Sequence, residues 1–179
     1  MDELSKIQAY NRESSMENKV DNTEFTSNLT PEGATFSVSC VRGSSNQVVA
    51  TYKKDEVQAT IVLALADNHP LRAVAINSSN RIGVNEATWR KWLLSMTTVL
   101  LTQDGSVLDA VLLWRSSLDN FLEGVELCPI CYALFHSSNY SIPNLSCKTC
   151  KSKFHGACLY KWFHTSMKNE CPMCKTLFN

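Results

Sequence analysis

Cysteine is nearly absent from the first 127 residues. Cys40 stands alone there, and the other seven of the chain's eight cysteines fall within residues 128–174. That distribution excludes a disulfide framework spread along the chain, and closely paired thiols with one lone cysteine suit a reducing compartment. Also missing is any apolar run approaching the ~18 residues of a spanning helix. The N-terminus is polar and lacks the basic-then-apolar pattern of a secretory signal. The expectation is therefore a cytosolic or nuclear protein with no membrane partner. Net charge is missing too, because 17 basic residues face 17 acidic ones, yet the balance hides an asymmetry. From residue 148 onward six lysines (148, 151, 153, 161, 168 and 175) meet only Glu170, giving +5, and the preceding part carries −5. No arginine and no interleaved aromatic pattern accompanies those lysines. The segment therefore reads either as a solvated lysine face or as a face for nucleic acid or an acidic protein surface.

What the chain does have is an ordered ligand series. Cys128-x2-Cys131 is followed after fifteen residues by Cys147-x2-Cys150, after four more by His155-x2-Cys158, and after twelve by Cys171-x2-Cys174. Each pair has the two-residue gap that lets two side chains grip one ion, and four such pairs match zinc spacing. Eight ligands fill two tetrahedral sites and leave no position open for water, so both Zn2+ ions are expected to be structural and no catalytic side chain is expected among them. Spacing alone permits either sequential or crossed pairing of the four pairs. A 47-residue module with these loops buries little core, so the metal must supply its stability.

Upstream the pattern is that of an α+β domain. Residues 1–32 are polar with sparse apolar positions and read as a flexible arm or a helix that needs a partner, closed by the turn Asn28-Leu-Thr-Pro-Glu-Gly33. Residues 33–124 form the first domain. Phe36, Val38 and Cys40 alternate with polar residues, Gly43–Asn46 marks a hairpin, and Val48, Ala50 and Tyr52 continue the alternation. Ala59 to Ala66 is an apolar run of strand length, and Leu71 to Ile76, after the Asp67–Pro70 turn, is expected as a fourth strand. Asn85 then reads as an N-cap. Trp89, Trp92, Leu93, Met96, Val99 and Leu100 make one helical stripe, which Gln103-Asp-Gly105 ends. Ser106 and Asp109 form a capping box for a second helix lined by Leu108, Val111, Leu112, Leu118, Phe121 and Leu122, with Gly124 as its stop. A four-stranded antiparallel meander with C-terminal helices results. Only Val125, Glu126 and Leu127 separate it from Cys128, which predicts a short joint to the zinc domain at 125–179.

The zinc knuckles carry more than ligands. Cys128-Pro-Ile-Cys131, Cys171-Pro-Met-Cys174 and Cys158-Leu-Tyr-Lys-Trp162 resemble a RING domain, a module that binds ubiquitin-conjugating enzymes. The resemblance implies cross-braced metals, with Cys128, Cys131, His155 and Cys158 at zinc 1 and Cys147, Cys150, Cys171 and Cys174 at zinc 2. It also implies that Ile130, Trp162 and Pro172 receive the conjugating enzyme, while Lys175 stands where many RINGs carry an arginine that bridges enzyme and ubiquitin. The ligand order is shared with PHD fingers, which read histone tails. Those usually carry an aromatic residue two positions before the seventh ligand, where this chain has Asn169. A passive zinc scaffold is the third alternative.

The run from Lys148 to Phe163, with Arg81-Ile-Gly-Val84 and Trp89-Arg-Lys-Trp92 upstream, is similar over about residues 33–179 to the C-terminal RWD–RING region of the ubiquitin ligases of ribosome-associated quality control. The RWD loop motif Tyr-Pro-x-x-x-Pro is present only as His69-Pro-Leu-Arg-Ala-Val74. What this resemblance implies is a RING-type E3 that uses no thioester of its own. Its implied partners are a conjugating enzyme charged with ubiquitin, the 60S ribosomal subunit and stalled nascent chains, and it is expected to be monomeric and cytoplasmic.

Overall fold

The structure, a computed structural model, describes residues 3–14, 24–27, 33–41, 46–55, 57–66, 72–102 and 105–178. The expected turns at 28–32, 43–45 and 67–70, and residues 69–71 of the His69–Val74 loop, lie outside the described residues. So do residues 103 and 104 of the first helix's stop. The chain divides into two compact units, Met1–Phe121 and Leu122–Asn179.

The first unit is a sheet covered by helices. Strands β1 (Glu24–Ser27), β2 (Ala34–Val41), β3 (Asn46–Lys54), β4 (Val57–Leu65) and β5 (Ala75–Asn80) run in that order, each antiparallel to the next. The period-two alternation fixes the register. Phe36, Tyr52 and Ala59 stand in one row, Val38, Ala50 and Ile61 in the next, and Cys40, Val48 and Leu63 in a third. All but Cys40 in these rows are fully buried, and Cys40 is half-buried. A one-residue slip would turn the whole set to water, so the register is strongly specified.

Three elements depart from the sequence expectation. The strand expected at Leu71 to Ile76 is Ala75–Asn80, displaced toward a polar stretch and paired to β4 across an irregularity at Thr60/Ile61. β5 is the last strand in the sheet, so its register follows backbone pairing with β4 and carries little hydrophobic signal. Within the stretch read as an arm or partner-dependent helix lie helix α1 (Glu3–Ser14) and the added strand β1. Ile7 is fully buried, and the Glu3 carboxylate accepts the Val107 N–H at 2.9 Å. The helix thus caps another helix roughly a hundred residues away in sequence.

Helices α2 (Glu86–Thr102) and α3 (Val107–Leu122) close the layer. Asn85 Oδ1 caps α2 by accepting the Thr88 N–H at 2.8 Å. Ser106 and Asp109 cap α3 reciprocally: the Asp109 N–H donates to Ser106 Oγ at 3.1 Å, and the Ser106 N–H donates to Asp109 Oδ2 at 2.8 Å. Gly124, at φ +68°, follows the end of α3, in the left-handed conformation that glycine adopts without cost. Trp89 meets Trp114 edge-on at 6.2 Å, and Trp114 packs on Phe36 of the sheet at 6.5 Å. The tryptophans at 89 and 114 are therefore core. One polar contact ties α3 to the sheet: the buried Tyr52 hydroxyl donates to Asp119 Oδ1 at 2.7 Å, with Arg115 Nε 3.6 Å from the other carboxylate oxygen and its guanidinium over the Phe36 ring. Burial first, and the Asp119 carboxylate second, push the Tyr52 phenol well above its ordinary range, so it stays a donor at any physiological pH.

A two-metal candidate platform

Three of the four ligand pairs fold alike. In each, the residue following the second cysteine donates its N–H to the carbonyl of the first: Tyr132 to Cys128 at 2.8 Å, Lys151 to Cys147 at 2.9 Å and Lys175 to Cys171 at 3.0 Å. The first cysteine's own N–H donates one residue further on, to Ala133, Ser152 and Thr176. The corner residues Tyr132, Lys151 and Lys175 sit at φ 55°, 63° and 60°, a left-handed conformation that costs a non-glycine residue about 1 kcal/mol or more and persists only where its surroundings impose it. The fourth pair is helical. His155 is the N-cap of α4 (Gly156–Ser166) in extended conformation, and it makes no side-chain cap bond. Cys158 lies three residues on, on the same face of the helix's first turn.

These elements gather the ligands as two groups, Cys128, Cys131, His155 and Cys158 in one and Cys147, Cys150, Cys171 and Cys174 in the other, with ligand atoms all within 4.8 Å of one another in each. The crossed pairing is thus the one the fold adopts. Tetrahedral zinc with Zn–S of about 2.3 Å places sulfurs about 3.8 Å apart. Cys147 to Cys174 and Cys150 to Cys171 are both 3.7 Å, far beyond a disulfide's ~2.05 Å. In the mixed site His155 Nδ1 lies 3.3 Å from Cys131 Sγ and 3.8 Å from Cys158 Sγ. The other ring nitrogen, Nε2, is 3.0 Å from the Leu134 carbonyl. An N–H donated there fixes the tautomer that leaves Nδ1 free for metal.

Ionisation points the same way. Backbone N–H donors, chiefly that of Cys150, lower the Cys147 thiol to about 6, and the Thr176 hydroxyl holds Cys174 below its ordinary value. Burial pushes Cys171 up to about 11 and Cys158 up to about 12, with neighbouring sulfurs adding to both. Four thiols this close cannot all ionise without a cation between them, and a divalent ion supplies that charge. Burial also lowers His155, which favours the neutral imidazole a metal requires. The residues fit two zinc ions, and a fully ligated zinc supplies folding energy with no open coordination position.

The second unit leans on those ions. Its buried cluster is Cys128, Cys147, Phe154, Cys158, Leu159 and Cys171, so only Phe154 and Leu159 in it are not ligands. With Leu134 and Phe135, which are also buried, four such side chains contribute roughly 6 to 12 kcal/mol, against apparent zinc binding of about 10 to 16 kcal/mol for each ion in finger peptides. The metals decide whether this unit folds.

Ile130 and Trp162 are both half-buried, but Ile130 packs against that cluster and Trp162 is not part of it. The Trp162 ring is nevertheless fixed, since its Nε1–H donates to the Glu170 carbonyl at 3.2 Å and the Lys175 ammonium lies 4.9 Å from the ring centre. Such a cation over an indole face contributes about 0.5 to 1 kcal/mol where exposed. Pro172 is half-buried and Lys175 exposed. Ile130 rides on the knuckle of zinc 1, and Pro172 and Lys175 on a knuckle of zinc 2.

Sequence reasoning passed over four contributing residues. The Leu134 carbonyl that orients His155 has no sequence signal, since any residue supplies a carbonyl. His136 stacks edge-on over His155 at 5.4 Å, inside a turn bonded like the cysteine knuckles, with the Tyr140 N–H to the His136 carbonyl at 2.8 Å and Tyr140 at φ 52°. The hydroxyls of Ser152 and Thr176 approach zinc 2 sulfurs, and these were legible as a hydroxyl residue two places after each second cysteine.

The fold and the metal platform define a class: a ubiquitin-conjugating-domain-like unit, matched by that family at residues 37–121, followed by a Ring finger domain, matched at residues 126–175. The Ring finger match decides against the histone-reading finger that the ligand order alone left open. More particularly, the chain is similar in sequence to proteins named E3 ubiquitin-protein ligase listerin. It is 42% identical over 137 residues to E3 ubiquitin-protein ligase listerin of Gallus gallus, covering 76% of this chain. Identity is 43% over 138 residues to listerin of Drosophila melanogaster, covering 77%, and 39% over 132 residues to listerin of Saccharomyces cerevisiae, covering 74%. The matched region spans 8% of the length of each of these relatives.

Proposed function

We propose that this chain is the catalytic end of a RING-type E3 ubiquitin ligase of ribosome-associated quality control. It would recruit a conjugating enzyme charged with ubiquitin and promote transfer to lysines of nascent chains stalled on the large ribosomal subunit. The observation that carries the reading is the half-buried Trp162, an indole held in place yet left out of the core, beside knuckles that present Ile130 and Pro172. A large side chain immobilised at the surface costs little entropy on binding and makes a natural anchor for a partner. The unit brings no nucleophile of its own: every cysteine in it is a metal ligand. Its contribution is orientation, holding the thioester of the charged enzyme in reach of an incoming amine, and positioning of this kind supplies large rate factors. The first unit serves, by its resemblance to RWD domains, as the ribosome-facing part, and the chain acts in the cytosol as a monomer.

Single-turnover discharge of a charged conjugating enzyme onto free lysine tests the proposal. The zinc-loaded chain should accelerate discharge, and Ile130→Ala should reduce the acceleration about tenfold or more, the effect of losing roughly 1.4 kcal/mol of binding. No acceleration, or full activity in the variant, would overturn it.

A further inference from the structure

The two metal sites are not built alike. Both knuckles of zinc 2 read Cys-x-x-Cys-Lys-Ser/Thr, as Cys147-Lys-Thr-Cys150-Lys151-Ser152 and Cys171-Pro-Met-Cys174-Lys175-Thr176, whereas the knuckle of zinc 1 reads Cys128-Pro-Ile-Cys131-Tyr132-Ala133. In space, Ser152 Oγ lies 3.4 Å from Cys150 Sγ and Thr176 Oγ1 lies 3.0 Å from Cys174 Sγ. The Thr149 and Thr176 hydroxyls, 3.1 Å apart, link the two knuckles. Among the described residues no side-chain hydroxyl reaches a sulfur of zinc 1, and its ligand Cys131 is exposed. A zinc tetrathiolate carries two negative charges and a Cys3His site one. The site with the larger charge has lysines directly after Cys147, Cys150 and Cys174, and the other has none after its ligands. In the whole unit, six lysines against Glu123, Glu126 and Glu170 leave +3, and seven thiolates with two zinc ions contribute −3. The two sums cancel, so the metal-loaded unit carries no net positive charge of the kind that drives binding to nucleic acid.

We propose that the Ser152, Thr176 and Thr149 hydroxyls form an outer shell that retains zinc 2, helped by the positive charge of the neighbouring lysines in sequence, so that zinc 1 is lost first, through exposed Cys131. Outer-shell partners of this kind govern metal affinity by factors of 10 to 100. If Ile130 serves the conjugating enzyme as argued above, then loss of zinc 1 dismantles half of that surface while the knuckle bearing Pro172 still holds, and the ligase is sensitive to zinc supply at one defined site.

The test needs no ubiquitin. The zinc-loaded chain is challenged with a chelator in the presence of a maleimide, and the order of cysteine alkylation is read by peptide mass spectrometry. Cys128, Cys131 and Cys158 should be labelled severalfold faster than Cys147, Cys150, Cys171 and Cys174. Ser152→Ala combined with Thr176→Val should bring the second group to the rate of the first, and Lys148→Gln with Lys151→Gln should move it the same way. Simultaneous labelling of all seven, earlier labelling of the second group, or no change in the Ser152 and Thr176 variant would overturn the proposal, whatever the outcome of the discharge assay.

Discussion

Lys175 shows how much one side chain's placement matters. Its backbone closes a zinc 2 knuckle at φ 60° and its ammonium lies over Trp162, so it borders the surface assigned to the conjugating enzyme. A lysine there keeps the positive charge but lacks the planar donor fork of arginine, which can stack on the indole and bond a carbonyl or carboxylate together. Lys175→Arg should therefore raise the rate of discharge severalfold in the single-turnover assay without changing zinc content, and an unchanged or lower rate would remove Lys175 from the mechanism. At this scale the sequence was legible wherever chemistry dictates residue type. The eight ligands and the caps Asn85, Ser106 and Asp109 could be read because only certain side chains bind zinc or accept a helix N–H. It was illegible where the backbone does the work, as with the Leu134 carbonyl behind His155.

Among the elements, helices were easier to read than strands. The stripe of α2 and the reciprocal cap at Ser106 follow from local periodicity and polar chemistry, whereas the buried face of α3 is Val107, Ala110, Val111, Trp114, Leu118 and Leu122, with the expected Leu108, Leu112 and Phe121 only half-buried. The Ser106 cap also sets a pH dependence. The Ser106 hydroxyl and N–H hold the Asp109 carboxyl below its usual 3.8. The folded form therefore favours the ionised carboxylate, and this contribution is present above the unfolded value and lost as pH falls through the lowered one. Asp109 is exposed, so its hydrogen bonds count for more than its charge. Ser106→Ala should make α3 easier to unfold by about 1 kcal/mol at neutral pH, by less once Asp109 is protonated, as measured by hydrogen exchange of α3 amides in urea. An undiminished difference in acid would refute the linkage. β5 and α1 escaped the reading for a different reason. β5 gains its register from pairing with β4, and α1 is anchored by Ile7 and by the reach of Glu3 to Val107, contacts too distant in sequence for local patterns to reveal.

For the whole molecule, the two units rest on different physics. The first has a conventional core of Trp89, Trp114, Phe36, Tyr52, Ile61 and Leu63, all fully buried, and the second has a central buried cluster in which four of the six residues are metal ligands. A strong chelator should accordingly collapse the amide spectrum of residues 122–179 while the spectrum of the first unit persists. Loss of both together, or of neither, would contradict that division. Crossed ligand pairing could not be chosen from spacing, because either arrangement satisfies a two-residue gap; it follows from placing His155 and Cys158 on the first turn of α4 beside the first knuckle. The central claim is that the metals build a platform whose working surface is Ile130, Trp162 and Pro172. The most direct measurement is a heteronuclear NMR titration of the zinc-loaded chain with a conjugating enzyme, following the Ile130 amide and methyl signals and the Trp162 indole N–H. The account predicts saturable shifts at these positions that Ile130→Ala weakens, and signals that stay in place, or shifts confined to residues 33–121, would contradict it.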